Sequence, residues 1–183
     1  MTIYILLLII LLILSIIVSD RSVFGEGIQF NLKIFYAFIT LFLILIAGFR
    51  EIGVSVDDLN YLNIYNSANR GNVYKDIAFV FLSRTFPSFQ LLVLFMAILS
   101  ISLKGLFFIN KLKYLGLGFL LYYTSYYFLH DFVQIRAAIA SGLLLWIIYF
   151  SAERRLFLFI LLCVLAVSFH LSALIFIPFF FHS

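Results

Sequence analysis

Long apolar runs separated by short polar breaks dominate the chain from its first residues. Runs at about 2–19, 31–49, 88–109, 114–129, 132–151 and 156–181 approach or exceed the roughly 20 residues that a helix needs to cross a hydrocarbon core. They do not alternate polar and apolar positions as the strands of a membrane barrel would, so helices are the spanning elements. The pattern predicts an all-α, polytopic integral membrane helical bundle of about six transmembrane helices. Residues 50–87 stand apart as one long polar segment with amphipathic pieces of its own. Loops carried on a rigid helical scaffold are where function tends to sit.

Composition sharpens the picture. Of 183 residues, 66% are hydrophobic, 20% aromatic and only 11% charged. No soluble domain of this size has interior enough for that much apolar side chain, so the surface itself must face lipid. The opening run "MTIYILLLIILLILSIIVSD" has no basic residue ahead of it and no small-residue cleavage site after it, which marks a retained first span. Cys163, the only cysteine, lies inside an apolar run; this excludes an internal disulfide and any cysteine-based metal site. No repeat, low-complexity tract or linker divides the chain, so residues 1–183 read as a single transmembrane domain. It stops at "FIPFFFHS", directly after a span and without a polar tail, and is expected to be the N-terminal part of a longer protein.

The net charge of +4 comes from few ionisable groups and is a topology signal, not a nucleic-acid footprint. With the N-terminus outside, the inner loops hold Arg21, Lys33, Lys104, Lys111, Lys113, Arg154 and Arg155. Arg50, Arg70, Lys75, Arg84 and Arg136 then remain outside. Seven against five places the 50–87 loop on the non-cytoplasmic face.

Two ionisable residues lie within spans: Arg136 in "HDFVQIRAAIASG" and His170 in "VLAVSFHLSALI". Groups at such depth are costly unless they snorkel or find partners, so they tend to face a protein interior or a water-filled cavity. At a rise of about 1.5 Å per residue, Arg136 falls roughly 6–8 Å below the outer end of its span and His170 about 22 Å across from the inner side. Both reach toward the loop "FREIGVSVDDLNYLNIYN", which carries Arg50, Asp57, Asp58, Tyr61 and Tyr65. The convergence suggests a polar pocket open to the outer leaflet.

Blander roles stand beside this one. Arg50 fits an interfacial anchor, and Asp57 fits a helix N-cap with Asp58 in the first turn. Tyr61 and Tyr65 fit an aromatic belt, and Asp131 with Gln134 fits a helix-starting cap. Arg136 could snorkel, and His170 could make an interhelical hydrogen bond. As chemistry, arginine offers a planar fork matched to phosphate oxygens, and a carboxylate or imidazole can take a proton from a hydroxyl. Two arginines and an acid suit a membrane-bound phosphate ester reacting with a hydroxyl. No cofactor is expected, and two adjacent aspartates are too little to specify a metal site.

In order, "GFREIGVSVDDLNYLNIY", "KDIAFVFLSRTF", "QIRAAIASGL" and "SFHLSALI" resemble the EpsG family of bacterial polysaccharide proteins, relatives in function of Wzy-like O-antigen and exopolysaccharide polymerases. Arg50, Asp57, Tyr61, Asp76, Arg136 and His170 fall on that family's motif positions. Ser55 stands where the family usually has glycine, and Asp76 where glutamate is more usual.

The resemblance implies a glycosyltransferase of exopolysaccharide, capsule or O-antigen assembly in the bacterial inner membrane. It would join repeat units carried on undecaprenyl diphosphate at the outer face, with a flippase and a chain-length regulator as protein partners. Asp57 and His170 would be catalytic, and Arg50, Tyr61, Arg136 and Asp76 would bind substrate. An export component for the same lipid-linked sugar, or an inactive truncated fragment, are the alternatives.

Overall fold

The computed structural model describes residues 2–17, 25–71, 77–176 and 178. They form an all-α membrane helical bundle. Three helices are long and apolar enough to cross a membrane alone: α2 (Glu26–Gly48), α5 (Phe89–Lys111) and α7 (Ile135–Ala152). Two shorter apolar helices accompany them, α1 (Thr2–Ile17) and α8 (Leu156–Phe169). A sixth pass is composite: α6 (Leu115–Leu121) runs on into a π-helical segment, Tyr122–Val133. The polar stretch between α2 and α5 holds α3 (Asp58–Asn69) and α4 (Ile77–Thr85).

Helix α5 is the central element. On one side, a buried cluster around Leu11, Tyr36, Leu43, Phe119 and Tyr127 joins it to α1, α2, α6 and the π segment. On the other, a cluster around Phe79, Leu92, Met96, Ile139 and Ala166 joins it to α3, α4, α7 and α8. Outward faces carry Phe38, Leu41 and Leu45 on α2 and Phe157, Ile160 and Val164 on α8, all exposed. A continuous apolar exterior of this kind belongs against hydrocarbon.

Small residues set the registers, as expected where lipid removes the hydrophobic drive and close packing must replace it. Gly105 of α5 lies against Thr40 of antiparallel α2. Gly142 of α7 lies against Leu103 and the Ser100 carbonyl, and the Trp146 indole N–H reaches the Leu103 carbonyl at 3.0 Å. Helices α5 and α7 therefore run parallel, and extrapolating that register back puts Ile135 level with the region of Phe95, about 9 Å below the outer start of α5. Helix α8 is also short, with 14 residues. Above these truncated helices sit α3 and α4, α4 packing against both α5 and α8. The long loop is thus folded into the bundle as a helical cover.

Several elements depart from the sequence pattern. The fourth pass extends to Val133, and its wide turns end in a bond from the Gln134 N–H to the Leu129 carbonyl, five residues back. The fifth begins at Ile135, so Asp131 is no helix-starting cap: it lies inside the π segment, and Gln134 precedes α7 without a side-chain cap. The sixth does not run as one helix to residue 181. Helix α8 ends at Phe169, His170 is extended (φ −152°, ψ 114°), and a 3₁₀ segment follows over Leu171–Phe176. The Ser168 hydroxyl donates back to the Leu165 carbonyl, a local bond of the kind that bends helices. Lys104 is not a loop charge either, being inside α5 and 2% exposed.

The α2–α5 contact gives a packing test. A Cβ at Gly105 would meet Thr40 Cγ2 at 2.6 Å and Oγ1 at 2.7 Å, and that hydroxyl is itself committed to the Tyr36 carbonyl at 2.8 Å. Gly105→Ala is expected to destabilise the bundle by about 1–3 kcal/mol, whereas Gly27→Ala, with open space around it, should not. Thermal melts of both variants in detergent check this.

Candidate functional site

The loop after α2 is built around one carboxylate. Asp58 Oδ1 accepts from Arg50 Nη2 at 2.7 Å, and Oδ2 accepts from the backbone N–H groups of Gly53 at 3.2 Å and Ser55 at 3.0 Å. Gly53 makes the necessary turn at φ +100°, a conformation that side chains oppose. Ser55, at the position where glycine is usual, needs no positive φ. Arg50 donates its other terminal nitrogen to the Ala47 carbonyl at 3.0 Å, and Gln90 Nε2 donates to the Gly48 and Arg50 carbonyls at 2.7 and 3.2 Å. Side chains thus satisfy the carbonyls that the end of α2 leaves open. Arg50 and Asp58 are both buried, 7% and 1% exposed. The Arg50 guanidinium carbon lies 5.1 Å from the centre of the Phe132 ring.

Asp57 holds the N-cap position of α3 without a side-chain cap bond, and its N–H donates to the Ser55 hydroxyl. Its carboxylate is only half-buried. Of the two adjacent acids, Asp58 is spent on the loop, and Asp57 is in no ion pair among the described residues.

One turn along α3, Tyr61 shares a face with Asp58. It is buried and receives the Arg136 guanidinium, whose carbon sits 5.0 Å from the Tyr61 ring centre and 5.7 Å from that of Phe79 in α4. Burial raises the Tyr61 hydroxyl above the ordinary tyrosine range, and a hydrogen bond and the charge from Arg136 pull it partly back. Tyr61 is accordingly a neutral acceptor at physiological pH. Asp57 lies close enough to act electrostatically on the same hydroxyl. Positions one turn apart on α3 therefore hold Arg50, from the end of α2, and Arg136, from the first turn of α7.

His170 marks the break after α8 and is in electrostatic reach of His130 in the π segment. His130 bonds Gln134 and stacks on Tyr126, with ring centres 5.1 Å apart. Tyr65 uses its hydroxyl on the Phe86 carbonyl at 2.9 Å, tying α3 to the start of α5. Asp76 lies outside the described residues.

The sequence reading missed a second polar centre. Lys104 Nζ donates to Asp131 Oδ1 at 2.8 Å and Oδ2 at 3.1 Å, to Ser100 Oγ at 3.2 Å and to the Ala138 carbonyl at 2.9 Å. The hydroxyls of Ser100 and Tyr122 both donate to Asp131, that of Tyr122 at 2.8 Å. Its signal is faint but present: Lys104 stands seven residues inside the end of α5, and Ser100 precedes it by four, on the same face. A pocket of about 460 Å³ adjoins this centre, with the exposed Leu121 and Tyr126 in its lining.

The paired aspartates separate by experiment. Asp58→Asn leaves Arg50 buried without its counter-charge and is expected to cost about 3–5 kcal/mol. Asp57→Asn should stay within about 0.5 kcal/mol of the parent. Detergent melts measure both.

A family model described as the EpsG family matches residues 33–183. No curated protein and no solved structure matches the chain. Since the matched region covers most of the chain and takes in Arg50, Asp57, Tyr61, Arg136 and His170, the chain belongs to the EpsG family and is a membrane protein of polysaccharide biosynthesis.

Proposed function

We propose that the chain polymerises undecaprenyl-diphosphate-linked oligosaccharide repeat units by glycosyl transfer, as a multi-pass protein of the bacterial inner membrane acting at its outer face. A flippase supplies the substrate and a chain-length regulator limits the product. The observation that carries this reading is the seating of the Arg136 guanidinium on the rings of Tyr61 and Phe79 under the α3–α4 cover, with Asp57 one turn before Tyr61 and Arg50 bound to Asp58 on the same helix.

In the reaction, a hydroxyl of one lipid-linked oligosaccharide attacks the anomeric carbon of another. The new glycosidic bond forms as the bond from that carbon to the diphosphate oxygen breaks, and the lipid diphosphate leaves with the electron pair. Arg136 binds the leaving diphosphate, where charge-assisted bonds stabilise the developing negative charge. Arg50 has both terminal nitrogens engaged, so it supports the same group through its charge and through Nε, which has no hydrogen-bond partner among the described residues. Asp57 or His170 takes the proton of the acceptor hydroxyl. Tyr61 packs against a sugar ring, and Asp76 contributes to substrate binding.

The test is polymer length in a strain whose own polymerase is deleted, complemented with this chain. The parent is expected to restore a ladder. Arg136→Ala, Asp57→Asn and His170→Ala are expected to reduce it by about 100-fold or more at unchanged protein level. Absence of a ladder from a stably inserted parent chain would refute the polymerase reading.

A further inference from the structure

We infer that Lys104 and Asp131 are positioning residues for the site: an intramembrane clasp that closes the turn between the π segment and α7, and so places Arg136 under Tyr61. The inference deepens the proposed function and rests on it for the identity of the bound diphosphate. It rests on geometry alone for the clasp.

One ammonium group holds both ends of an eight-residue stretch. Lys104 Nζ takes the Asp131 carboxylate at 2.8 and 3.1 Å and the Ala138 carbonyl at 2.9 Å. Between those anchors the chain changes from wide π turns to an α-helix, with Gln134 at φ −98°, ψ 63° as the junction. The residues on or beside this stretch meet several side chains of the outer site. His130 is in electrostatic reach of His170, Phe132 underlies Arg50, Gln134 bonds His130, and Arg136 rests on Tyr61 and Phe79. A displacement of the turn therefore moves all of these contacts together.

The clasp is also fixed from behind. Ser100, one turn before Lys104 on α5, bonds both Lys104 and Asp131, and the Tyr122 hydroxyl donates to Asp131 at 2.8 Å. With Lys104 2% and Asp131 1% exposed, the pair is shut away from water. Stabilising the bundle does not require such a pair, because apolar residues of similar volume usually pack as well as a buried ion pair or better. What apolar residues cannot supply is the bond to the Ala138 carbonyl, two residues beyond Arg136.

The experiment compares the full chain with the double variant Lys104→Leu/Asp131→Leu, which removes both charges and leaves neither partner orphaned. Two quantities are read at matched protein level: polymer formed, and the ¹⁵N–¹H signal of the Arg136 Nε–H in arginine-labelled protein, assigned by its loss in Arg136→Lys. The rings of Tyr61 and Phe79 shift that signal from the free-arginine position, and Tyr61→Leu calibrates the displaced state. In the double variant the signal is expected to move to the Tyr61→Leu position, and polymer to fall by about 100-fold, the scale of a misplaced binding group. An unmoved Arg136 signal, or undiminished polymer, overturns the clasp.

If the parent makes no polymer, the polymerase reading fails and the Arg136 signal alone decides the clasp. Should the double variant not insert, Tyr122→Phe, which removes one bond to Asp131 and keeps the ring, is expected to shift the Arg136 signal in the same direction by less. No shift there also overturns the clasp.

Discussion

A charged group between apolar helices must be answered by its neighbours, and Lys104 is answered completely. A lysine at mid-helix costs about 2.5–3.5 kcal/mol on insertion scales if left to itself. Here Asp131 supplies the counter-charge, Ser100 and the Ala138 carbonyl take the remaining directions, and Tyr122 fills a lone pair on the carboxylate. Three passes, α5, the π segment and α7, are fixed relative to one another by that single requirement. The two apolar clusters on either side of α5 then pack around a junction whose polar geometry leaves little freedom.

From that junction follows the shape of the outer face. Because α7 starts low and α8 stops at Phe169, the bundle would have a hollow at its outer end. The α3–α4 cover occupies it, driven by the same apolar cluster that holds α7 and α8: Tyr61 and Phe79 are as much core residues as Ile139 and Ala166. Arg136 meets those rings at the boundary between core and cover. A guanidinium tolerates this position well, since its planar face stacks on aromatic rings while its edge nitrogens point along the plane as donors.

Much of the architecture was legible in the runs of apolar residues, because helices are the only open-ended elements that satisfy their own backbone in lipid. The all-α membrane bundle follows from that alone. Other features depend on partners distant in sequence. Lys104 read as a loop charge because its partners, Asp131 and Ala138, lie 27 and 34 residues away. The π segment carries no periodic signature strong enough to distinguish it from an ordinary helix in a Tyr-rich run. The stop at His170 is visible only as a serine and a histidine in otherwise apolar surroundings, whose local bonding the sequence does not reveal.

The two aspartates that follow Val56 show most clearly what spacing alone cannot decide. Either could have capped α3 and either could have met Arg50, since both lie at its N-terminal end. The loop resolves the choice through its donors. Gly53 and Ser55 turn their N–H groups toward the same point that Arg50 reaches from the end of α2, and only the Asp58 side chain lies there. With three donors converging on it, Asp58 serves as the loop's fixed centre. Asp57 is thereby left half-buried one turn before Tyr61, with a carboxylate that the loop itself does not consume. In the proposed reaction, an acid left over in this way is the group that takes the proton of the acceptor hydroxyl. The division of labour between two neighbouring identical residues thus connects the packing of the loop to the chemistry proposed for it.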